Sequence, residues 1–187
     1  MGSIRAFNPV KLFLGVLVSG QDLVSSVESL LCSEFGPVDH RSPVIPFTFT
    51  NYYRKETGDS ILRVFLSFER LIEGDQLPDI KHQTNAMEET FKAADTNVTR
   101  PVNLDPGYIE HAKVILASTK NFYHRMYLAR GIFGQVTMHF RNGTYEFFPW
   151  TYPDYKSAEY QKFFLELRDL YRQQLRSMCL LKNRDDD

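Results

Sequence analysis

The segment 118–128 gathers side chains that could bind an anion. Two hydroxyls, an ammonium, an imidazole and a guanidinium lie close together there, on Ser118, Thr119, Lys120, His124 and Arg125. Cationic groups flanked by hydroxyl donors match the oxygens of a phosphate or a carboxylate. The pattern therefore predicts an anion site that includes Lys120, His124 and Arg125.

The same segment leaves an alternative open. In a strand over residues 123–128, His124 and Arg125 would point to opposite faces of the sheet, which argues against a common target. Arg125 would then belong to a solvated loop and pair with Glu69 or Asp154. Both interpretations place a cationic turn before the strand. They differ in the partner of Arg125, which is an anionic ligand in the first and a carboxylate of the protein in the second.

A second group of candidates surrounds Asp105 and Tyr108. Asp105 precedes Pro106, and this pair is typical of the N-cap and first turn of a short helix. The sequence predicts either a capping role for Asp105 or metal or acid–base chemistry at its carboxylate. On such a helix Tyr108 lies one turn later, where it either packs or contributes to the same site.

The segment from Pro149 to Tyr155 places three rings and two prolines in a short stretch. Trp150, Tyr152 and Tyr155 could line a pocket for a flat ring or a sugar, with Asp154 beside them. They could equally anchor the connection that leads into the last helix. We expect this strip and the 118–125 turn to open into one hollow, which is the geometric basis of the predicted site.

The elements that position these residues follow from the hydrophobic pattern. A continuous apolar run over Leu12–Val18 indicates a central strand that is covered on both faces. Apolar residues at helical spacing follow, and Gly36-Pro37 ends that helix. The pattern then predicts an extended segment, a strand, a helix and a short strand over 38–53, 62–68, 77–91 and 102–104.

This β-α-β-β-α-β order is the split arrangement of ferredoxin-like domains, in which both helices cover one face of the sheet. The remaining chain predicts a β-meander over 123–128, 132–140 and 144–148, with Asn142-Gly143 as its clearest turn. A long helix from Ser157 carries a broad apolar stripe that should cover the open sheet face. The predicted fold class is α+β, with a ferredoxin-like core extended by a C-terminal β-meander and a long C-terminal helix.

Length and composition favour a single domain over residues 1–187, with flexible ends at 1–10 and 182–187. The net charge is −1, from 22 basic and 23 acidic side chains, so the basic surplus that nucleic-acid binding requires is missing. Two distant cysteines form neither a disulfide framework nor a zinc motif. No apolar stretch reaches the length of a membrane span, so we predict a cytoplasmic chain without metal, membrane or nucleic-acid partners.

No motif identifies a cofactor or a reaction. The sequence contains no GxxxxGK[ST] phosphate loop, no GxGxxG turn after the first strand, no HExxH pair and no GxSxG elbow. The cofactor and any catalytic residue therefore stay unassigned. The sequence leaves open whether the protein is an enzyme.

Several long motifs resemble those of one bacterial family. They lie between Lys11 and about Tyr171 and read "PVIPFTFTNYY", "SFERLI", "NLDPGYI", "ASTKNFYHRMYL" and "PWTYPDY". The combination is similar to the family called domain of unknown function 4416, over nearly the whole chain. The resemblance implies no activity, cofactor or site residue.

Three hypotheses for the function follow. The first is a site for a small anionic ligand, with or without catalysis, formed by Lys120, His124, Arg125, Asp105, Tyr108, Trp150, Tyr152 and Asp154. The alternative is a protein-interaction or scaffold domain without catalytic activity, whose exposed aromatic side chains form an interface and allow a homo-oligomer. Binding of single-stranded RNA through aromatic residues on the sheet fits the predicted fold but not the charge balance.

Overall fold

The computed structural model describes residues 3, 6–49, 57, 61–92 and 98–181. Within these ranges nine strands form one antiparallel sheet: β1 (Val10–Val18), β2 (Val38–Arg41), β3 (Ile45–Pro46), β4 (Leu62–Ile72), β5 (Val102–Ile109), β6 (Lys113–Ser118), β7 (Met126–Ala129), β8 (Ile132–Arg141) and β9 (Thr144–Phe147). The helices are α1 (Asp22–Phe35), α2 (Leu77–Phe91) and α3 (Ala158–Ser177). Short 3-10 turns cover Gly74–Gln76 and Pro153–Lys156.

The strands follow the order β2-β4-β1-β5-β6-β8-β7, with β3 beside β4 and β9 beside β8. β1 therefore lies in the middle of the sheet and pairs with β4 on one side and β5 on the other. Because successive side chains of a strand point to opposite faces, Leu14 packs with the helices α1 and α2, whereas Phe13 packs with α3. The central strand predicted from the apolar run is thus covered on both faces.

Two hydrophobic clusters fill the two faces of this sheet. The cluster under α1 and α2, here called the aliphatic core, consists of Val10, Leu12, Leu14, Val16, Val18, Val24, Val27, Leu31, Val64, Leu66, Phe68, Ile72, Ile80, Val102 and Leu104. The cluster under α3, here called the aromatic core, consists of Phe13, Phe65, Ile109, Val114, Leu116, Met138, Tyr145, Tyr155, Tyr160, Phe163, Phe164, Leu167, Tyr171 and Leu175. Helices therefore cover both faces of the sheet.

The helix ends follow the signals in the sequence. Gly36 ends α1 with φ at 92°, a left-handed conformation that glycine adopts without steric cost. Pro78 lies in the first turn of α2, where its missing N–H has no intrahelical partner to lose. Ser157 caps α3, and its hydroxyl accepts a hydrogen bond from the backbone N–H of Tyr160 at 3.4 Å.

The helix predicted to begin at Asp105-Pro106 is wrong, because this segment belongs to the strand β5. β5 pairs with β1 along its whole length, from Val102 opposite Val18 to Ile109 opposite Lys11. This ladder outweighs the local capping preference of the Asp-Pro pair. Successive backbone N–H groups of a strand point to alternate sides, and the nitrogen of Pro106 faces β6 rather than β1. The ladder between β1 and β5 therefore loses no hydrogen bond at this proline.

β5 and β6 separate after a short paired stretch. Their described pairing extends from Ile109 opposite Val114 to Gly107 opposite Leu116, and β6 continues beside β8 alone. The main chain of Leu104 therefore has no partner strand on this side, and two side chains of α2 replace it. Glu88 accepts a hydrogen bond from the Leu104 N–H at 2.8 Å, and Lys81 donates to its carbonyl at 2.7 Å. A gap thus opens inside the sheet between β5 and β6.

The meander is present with one correction. β8 and β9 are joined at Asn142-Gly143, whose φ angles of 52° and 82° match a tight hairpin turn. The strand predicted over 123–128 begins only at Met126, because the chain reverses just before it. The backbone N–H of Arg125 donates to the carbonyl of Phe122 at 2.9 Å. His124 and Arg125 therefore lie in a turn, and the strand alternation that placed them on opposite faces does not apply.

The fold class is α+β, with a large antiparallel sheet and a long C-terminal helix. The order of the whole sheet differs from that of a four-stranded ferredoxin-like domain, because β6 to β9 extend the same sheet rather than form a separate meander.

Some predicted segments lie partly outside the described residues. These are residues 50–53 of the extended segment, residues 1, 2, 4 and 5 of the N-terminal end, and the tail at 182–187. Val10, assigned to a flexible end, is the first residue of β1. Across the described ranges, none of the helices combines the length and apolar character needed to cross a membrane.

Candidate functional site

A cavity of about 570 Å³ opens at the gap between β5 and β6. Its walls come from β4, β5, the turn between β6 and β7, and the segment that precedes α3. The charged side chains that line it are Arg63, Lys81, Arg100, Lys120, Arg125, Asp105 and Asp154. Basic groups outnumber carboxylates in this lining, which favours an anionic occupant.

A buried arginine and two carboxylates form the floor of the cavity, here called the floor triad. Arg63 is 3% exposed, and its Nη1 lies 3.4 Å from Asp105 Oδ2 while its Nη2 lies 3.7 Å from Asp154 Oδ2. Asn103 donates to the same oxygen of Asp105 at 2.8 Å. One guanidinium thus joins two carboxylates that come from different parts of the chain.

Gly15 makes the floor triad sterically feasible. β1 separates β4 from β5, so the Arg63 side chain must cross β1 to reach Asp105. Gly15 lies opposite Asp105 in the ladder, and a Cβ at this position would lie 2.7 Å from Arg63 Nη1. The guanidinium also lies 5.3 Å from the ring centre of Phe47 and 5.5 Å from that of Phe65, within reach of favourable cation–π contacts.

Burial controls the ionisation of the floor. Burial raises the pKa of Asp154 above its usual value, Arg63 opposes the shift, and Asp105 adds to it. Burial also raises the pKa of Tyr160 to about 12 and that of Tyr155 well above its usual value. Burial alone would lower the pKa of Arg63. Nearby groups, among them Tyr160 and Asp105, raise this pKa by a larger amount, so the net shift is upward and the guanidinium stays charged.

Arg125 organises the rim of the cavity. Its Nε donates to Gln135 Oε1 at 2.9 Å, and its Nη1 donates to Ser118 Oγ at 2.6 Å and to the carbonyl of Lys120 at 2.9 Å. Its Nη2 donates to the hydroxyl of Tyr152 at 2.7 Å. All these acceptors are neutral, and no described carboxylate forms an ion pair with Arg125. The guanidinium is therefore held in place without charge compensation from the described residues.

Gln135 of β8 connects Arg125 with His124. A guanidinium can only donate, so the amide atom that Arg125 contacts must be the oxygen Oε1. His124 Nε2 lies 3.1 Å from the same oxygen and therefore carries the donated proton. The amide nitrogen of Gln135 is left buried without a hydrogen-bond partner in the described part of the chain.

Four rings form a stack that joins the two walls of the cavity. His124 lies between Phe122 and Trp150, with ring centres 6.0 Å and 5.3 Å away and interplanar angles of 9° on both sides. Phe148 stacks on the far side of Trp150 at 4.9 Å and 3°. The indole N–H of Trp150 donates to the carbonyl of Val136 at 2.9 Å. The stack fixes the turn between β6 and β7 against the segment before α3.

Tyr152 lies between the rim and the floor. Burial raises the pKa of its hydroxyl, Arg125 and Lys120 lower it, and Asp105 and Asp154 raise it. Cationic groups of the rim and anionic groups of the floor therefore both lie near this hydroxyl. A ligand in this cavity would meet both kinds of charge.

Three residues that line the cavity each have a buried polar atom without a hydrogen-bond partner among the described residues. The atoms are Arg63 Nε, Gln135 Nε2 and the hydroxyl oxygen of Tyr155. Arg63 is 3% exposed, Gln135 1% and Tyr155 2%. An unsatisfied buried donor destabilises a fold, so a water molecule or a ligand that reached these atoms would stabilise it.

The structure brings most of the predicted site residues to one cavity. Its lining includes Asp105, Lys120, Arg125, Tyr152 and Asp154. The strip before α3 and the 118–125 turn thus share a hollow, as the sequence predicts, while their role in binding stays a prediction. The expected partner of Arg125, Asp154, forms its ion pair with Arg63 instead.

Three predicted residues are placed elsewhere. His124 and Trp150 lie behind the wall, in the ring stack, and do not line the cavity. Tyr108 packs against the aliphatic core on the opposite face of the sheet from Asp105. Residues three apart share one face of a helix but not of a strand, so the error in secondary structure misplaced Tyr108.

Arg63 and Gln135 are functional candidates that the sequence reasoning missed. Arg63 stands within the alternating strand β4, on the face that it shares with Phe65. Its signal was Gly15, a glycine inside the apolar run of the central strand, which indicates close approach of another group. Gln135 carried no comparable signal, since a lone amide in a strand is common on solvated faces.

The described residues do not form a metal site. No group of three or more His, Cys, Asp or Glu side chains in these ranges is placed to hold a metal ion. Cys32 and Cys179 are both free thiols.

Comparison with known proteins yields one match. A family model with the description "Domain of unknown function (DUF4416)" matches residues 8–171 of the 187. This confirms the resemblance seen in the motifs, and the matched range includes all residues of the floor triad and the rim. No curated protein and no solved structure matches the chain.

Proposed function

The chain belongs to the family described as Domain of unknown function (DUF4416), and from the geometry of its cavity we propose that it binds a small ligand bearing a phosphate or carboxylate. The acidic group of this ligand lies at the rim, against Arg125 and Lys120. The rest of the ligand extends into the cavity toward the floor triad. The ligand is small because the cavity measures about 570 Å³.

The main support for this proposal comes from the surroundings of the Arg125 side chain. It lines the cavity, it is oriented by four hydrogen bonds to neutral acceptors, and it has no ion-pair partner among the described residues. A rigid guanidinium without a counter-charge binds an anion at little reorganisation cost. The hydroxyl of Ser118 and the ammonium of Lys120 lie on the same turn and add donors for its oxygens.

A thermal-shift screen tests the proposal directly. Inorganic phosphate, pyrophosphate, citrate, nucleotides and sugar phosphates are added one at a time to the full chain. A ligand present at 100 times its dissociation constant stabilises the folded state by about 2.7 kcal/mol, enough to raise the Tm by several degrees. We expect at least one of these anions to produce such a shift.

The variant Lys120→Ala removes a rim charge and should reduce the shift. Lys162→Ala is the matched control, because Lys162 is 77% exposed on α3, outside the cavity lining. Lys120 is preferred to Arg125 for this test, since loss of Arg125 would also release the turn that it holds. Equal stabilisation of both variants, or no stabilisation of the native chain by any anion, would refute the proposal.

A protein-interaction role is the second candidate, and it rests on a different surface. Tyr123 is 88% exposed, Met126 69% and Tyr127 62%, and β7 is the last strand in the order of the sheet. Exposed apolar side chains on an edge strand favour association with another chain. Light scattering on the native chain and on Tyr127→Ser separates the two candidates, because a change in mass on substitution would favour the interaction role.

We also propose that β2, β4, β1 and β5 with α1 and α2 form a ferredoxin-like unit. The antiparallel order β2-β4-β1-β5 and the packing of α1 and α2 against one core support this assignment. An experimental structure superposed on ferredoxin-like domains would test it.

A cytoplasmic location stays a prediction, which cell fractionation would test.

A further inference from the structure

The cavity presents two different chemistries at its two ends. At the rim, Arg125 and Lys120 provide positive charge. At the floor, Asp105 and Asp154 provide carboxylate oxygens, and Arg63 neutralises part of their charge. A ligand that fills the cavity must satisfy both ends, so a simple anion matches only half of it.

The floor calls for hydrogen-bond donors. An ionised carboxylate can only accept hydrogen bonds, and a second acidic group placed beside Asp105 and Asp154 would be repelled. The Nε of Arg63 and the hydroxyl of Tyr155 are buried near the floor, and the amide nitrogen of Gln135 is buried nearer the rim, all without a partner among the described residues. The two nitrogens can only donate and need an acceptor, whereas the tyrosine hydroxyl can donate or accept. A ligand hydroxyl group both donates and accepts, so it suits the carboxylates and these donors alike.

The side walls are aromatic. Phe47 and Phe49 lie with ring centres 5.9 Å apart and both line the cavity, and Phe122 and Tyr152 line it from the rim. Aromatic faces pack well against the C–H surface of a saturated ring that carries hydroxyls on its edge. Walls of this kind therefore suit a compact ring with a polar perimeter.

We infer that the ligand is a polyhydroxylated anion, such as a sugar phosphate or a sugar acid. Its acidic group lies at the rim, and vicinal hydroxyls bind Asp105 and Asp154 at the floor. This inference rests on the proposed anion site and adds the class of compound that the site accepts. A phosphate and a carboxylate would make the same contacts with the cations of the rim. Titration with both kinds of compound therefore has to distinguish a sugar phosphate from a sugar acid.

Calorimetric titration of the native chain with matched compounds tests the inference. The series is a hexose 6-phosphate, the corresponding hexonic and hexuronic acids, n-butyl phosphate, inorganic phosphate, the free hexose and a nucleoside monophosphate. We expect the sugar phosphate or a sugar acid to bind at least about tenfold more tightly than n-butyl phosphate, because each hydroxyl at the floor adds a charge-assisted hydrogen bond. The free hexose should bind at least about tenfold more weakly, since it lacks the rim contact.

The outcomes separate this inference from the proposed function. Equal affinity for n-butyl phosphate and the sugar anions would overturn the polyhydroxyl inference and leave the anion site standing. Tighter binding of the nucleoside monophosphate than of every sugar anion would also overturn it, in favour of a base-binding floor. No binding of any anion would overturn the proposed function and the inference with it.

Two variants locate the contributions within the cavity. Asp105→Asn should cost the sugar anion about tenfold in affinity and leave n-butyl phosphate unchanged, whereas Lys120→Ala should weaken both to a similar degree. The thermal midpoint of each unliganded variant shows whether the fold is retained. If Asp105→Asn does not fold, the comparison of ligands on the native chain still decides the question. A uniform loss of affinity for both ligands in Asp105→Asn would contradict the assigned role of the floor.

Discussion

The two faces of the sheet are built from different kinds of side chain. The aliphatic core is composed of Val, Leu and Ile with a single Phe, and it lies under α1 and α2. The aromatic core contains four Phe and four Tyr, and it lies under α3. On the aromatic side the buried Arg63 approaches the rings of Phe47 and Phe65. On the other side Lys81 and Glu88 of α2 are also buried, and both bond to the main chain of Leu104.

The difference shows why the cavity borders the aromatic core. Aliphatic side chains offer no polar atom, so Lys81 and Glu88 beside the aliphatic core find their partners in the main chain of Leu104 and in Arg100. Aromatic rings can lie against a guanidinium through their negative faces, and tyrosine adds a hydroxyl at the end of an apolar body. The aromatic core can therefore hold the floor triad, while the aliphatic core serves as a rigid support behind it.

The comparison is tested most strongly by removing one large side chain from each core. Phe65→Ala should lower the free energy of unfolding by about 3–5 kcal/mol, and Leu14→Ala by about 2–5 kcal/mol, because both side chains are fully buried. Phe65 also supports Arg63, so only Phe65→Ala should in addition weaken anion binding. Urea denaturation and calorimetry on both variants measure this. Equal effects on binding would mean that the two cores support the cavity alike.

Removal of the floor cation is expected to have the next largest effect. Arg63→Met keeps most of the side-chain volume but leaves Asp105 and Asp154 beside each other without their shared partner, at a cost of about 3 kcal/mol. Arg41→Met is the control, because its ion pair with Glu28 is part-exposed and should contribute less than about 1 kcal/mol. Chemical denaturation at neutral pH compares the two. A loss as small as that of the control would show that the floor triad is not a coupled unit.

A smaller effect is expected from a single methyl group on β1. In Gly15→Ala the new Cβ would lie 2.7 Å from Arg63 Nη1, so the guanidinium must move away from Asp105, at a cost of about 1–3 kcal/mol. In Gly134→Ala the nearest atom belongs to the Leu128 side chain at 3.2 Å, which is partly exposed and free to shift. Thermal unfolding of both variants should show a clear loss for Gly15→Ala alone.

The smallest effect concerns pH. Burial raises the pKa of Asp154 above the ordinary value of 3.8, so the folded state binds this proton more tightly than the unfolded state. The contribution to stability is present below the ordinary pKa and is lost as the pH rises through the raised one. Asp154→Asn cannot ionise, so the native chain should lose stability relative to this variant as the pH rises above about 4. Urea midpoints measured across this range would show parallel curves if the carboxyl were not perturbed.

Periodicity predicted the elements that carry long stretches of side-chain pattern. The apolar run of β1, the amphipathic helices and the Asn142-Gly143 turn are all present in the structure. The Asp105-Pro106 pair misled because its capping preference is local, whereas pairing with β1 extends over the entire strand. Nonlocal pairing of this kind leaves no trace in the residues of one segment alone.

The candidate site was predictable in part for the same reason. The hydroxyl and cationic residues of the 118–125 turn are close in sequence, so their proximity needs no knowledge of the fold. Arg63 reaches the cavity only because β4 and β5 flank β1 and because Gly15 leaves room between them. The roles of His124 and Trp150 in the ring stack depend on contacts between two distant segments, which composition alone does not reveal.

The separation of β5 from β6 has a consequence for how durable the cavity is. Two neighbouring strands that have separated ordinarily tend to pair again, because each additional residue pair adds hydrogen bonds between them. Here β5 offers few free groups to β6: Pro106 carries no N–H, and the amide and carbonyl of Leu104 are already bound by Glu88 and Lys81. The gap therefore stays open because β5 has few free hydrogen-bonding groups at this edge, and not because large side chains hold the strands apart. We expect the cavity to persist both with and without a bound ligand.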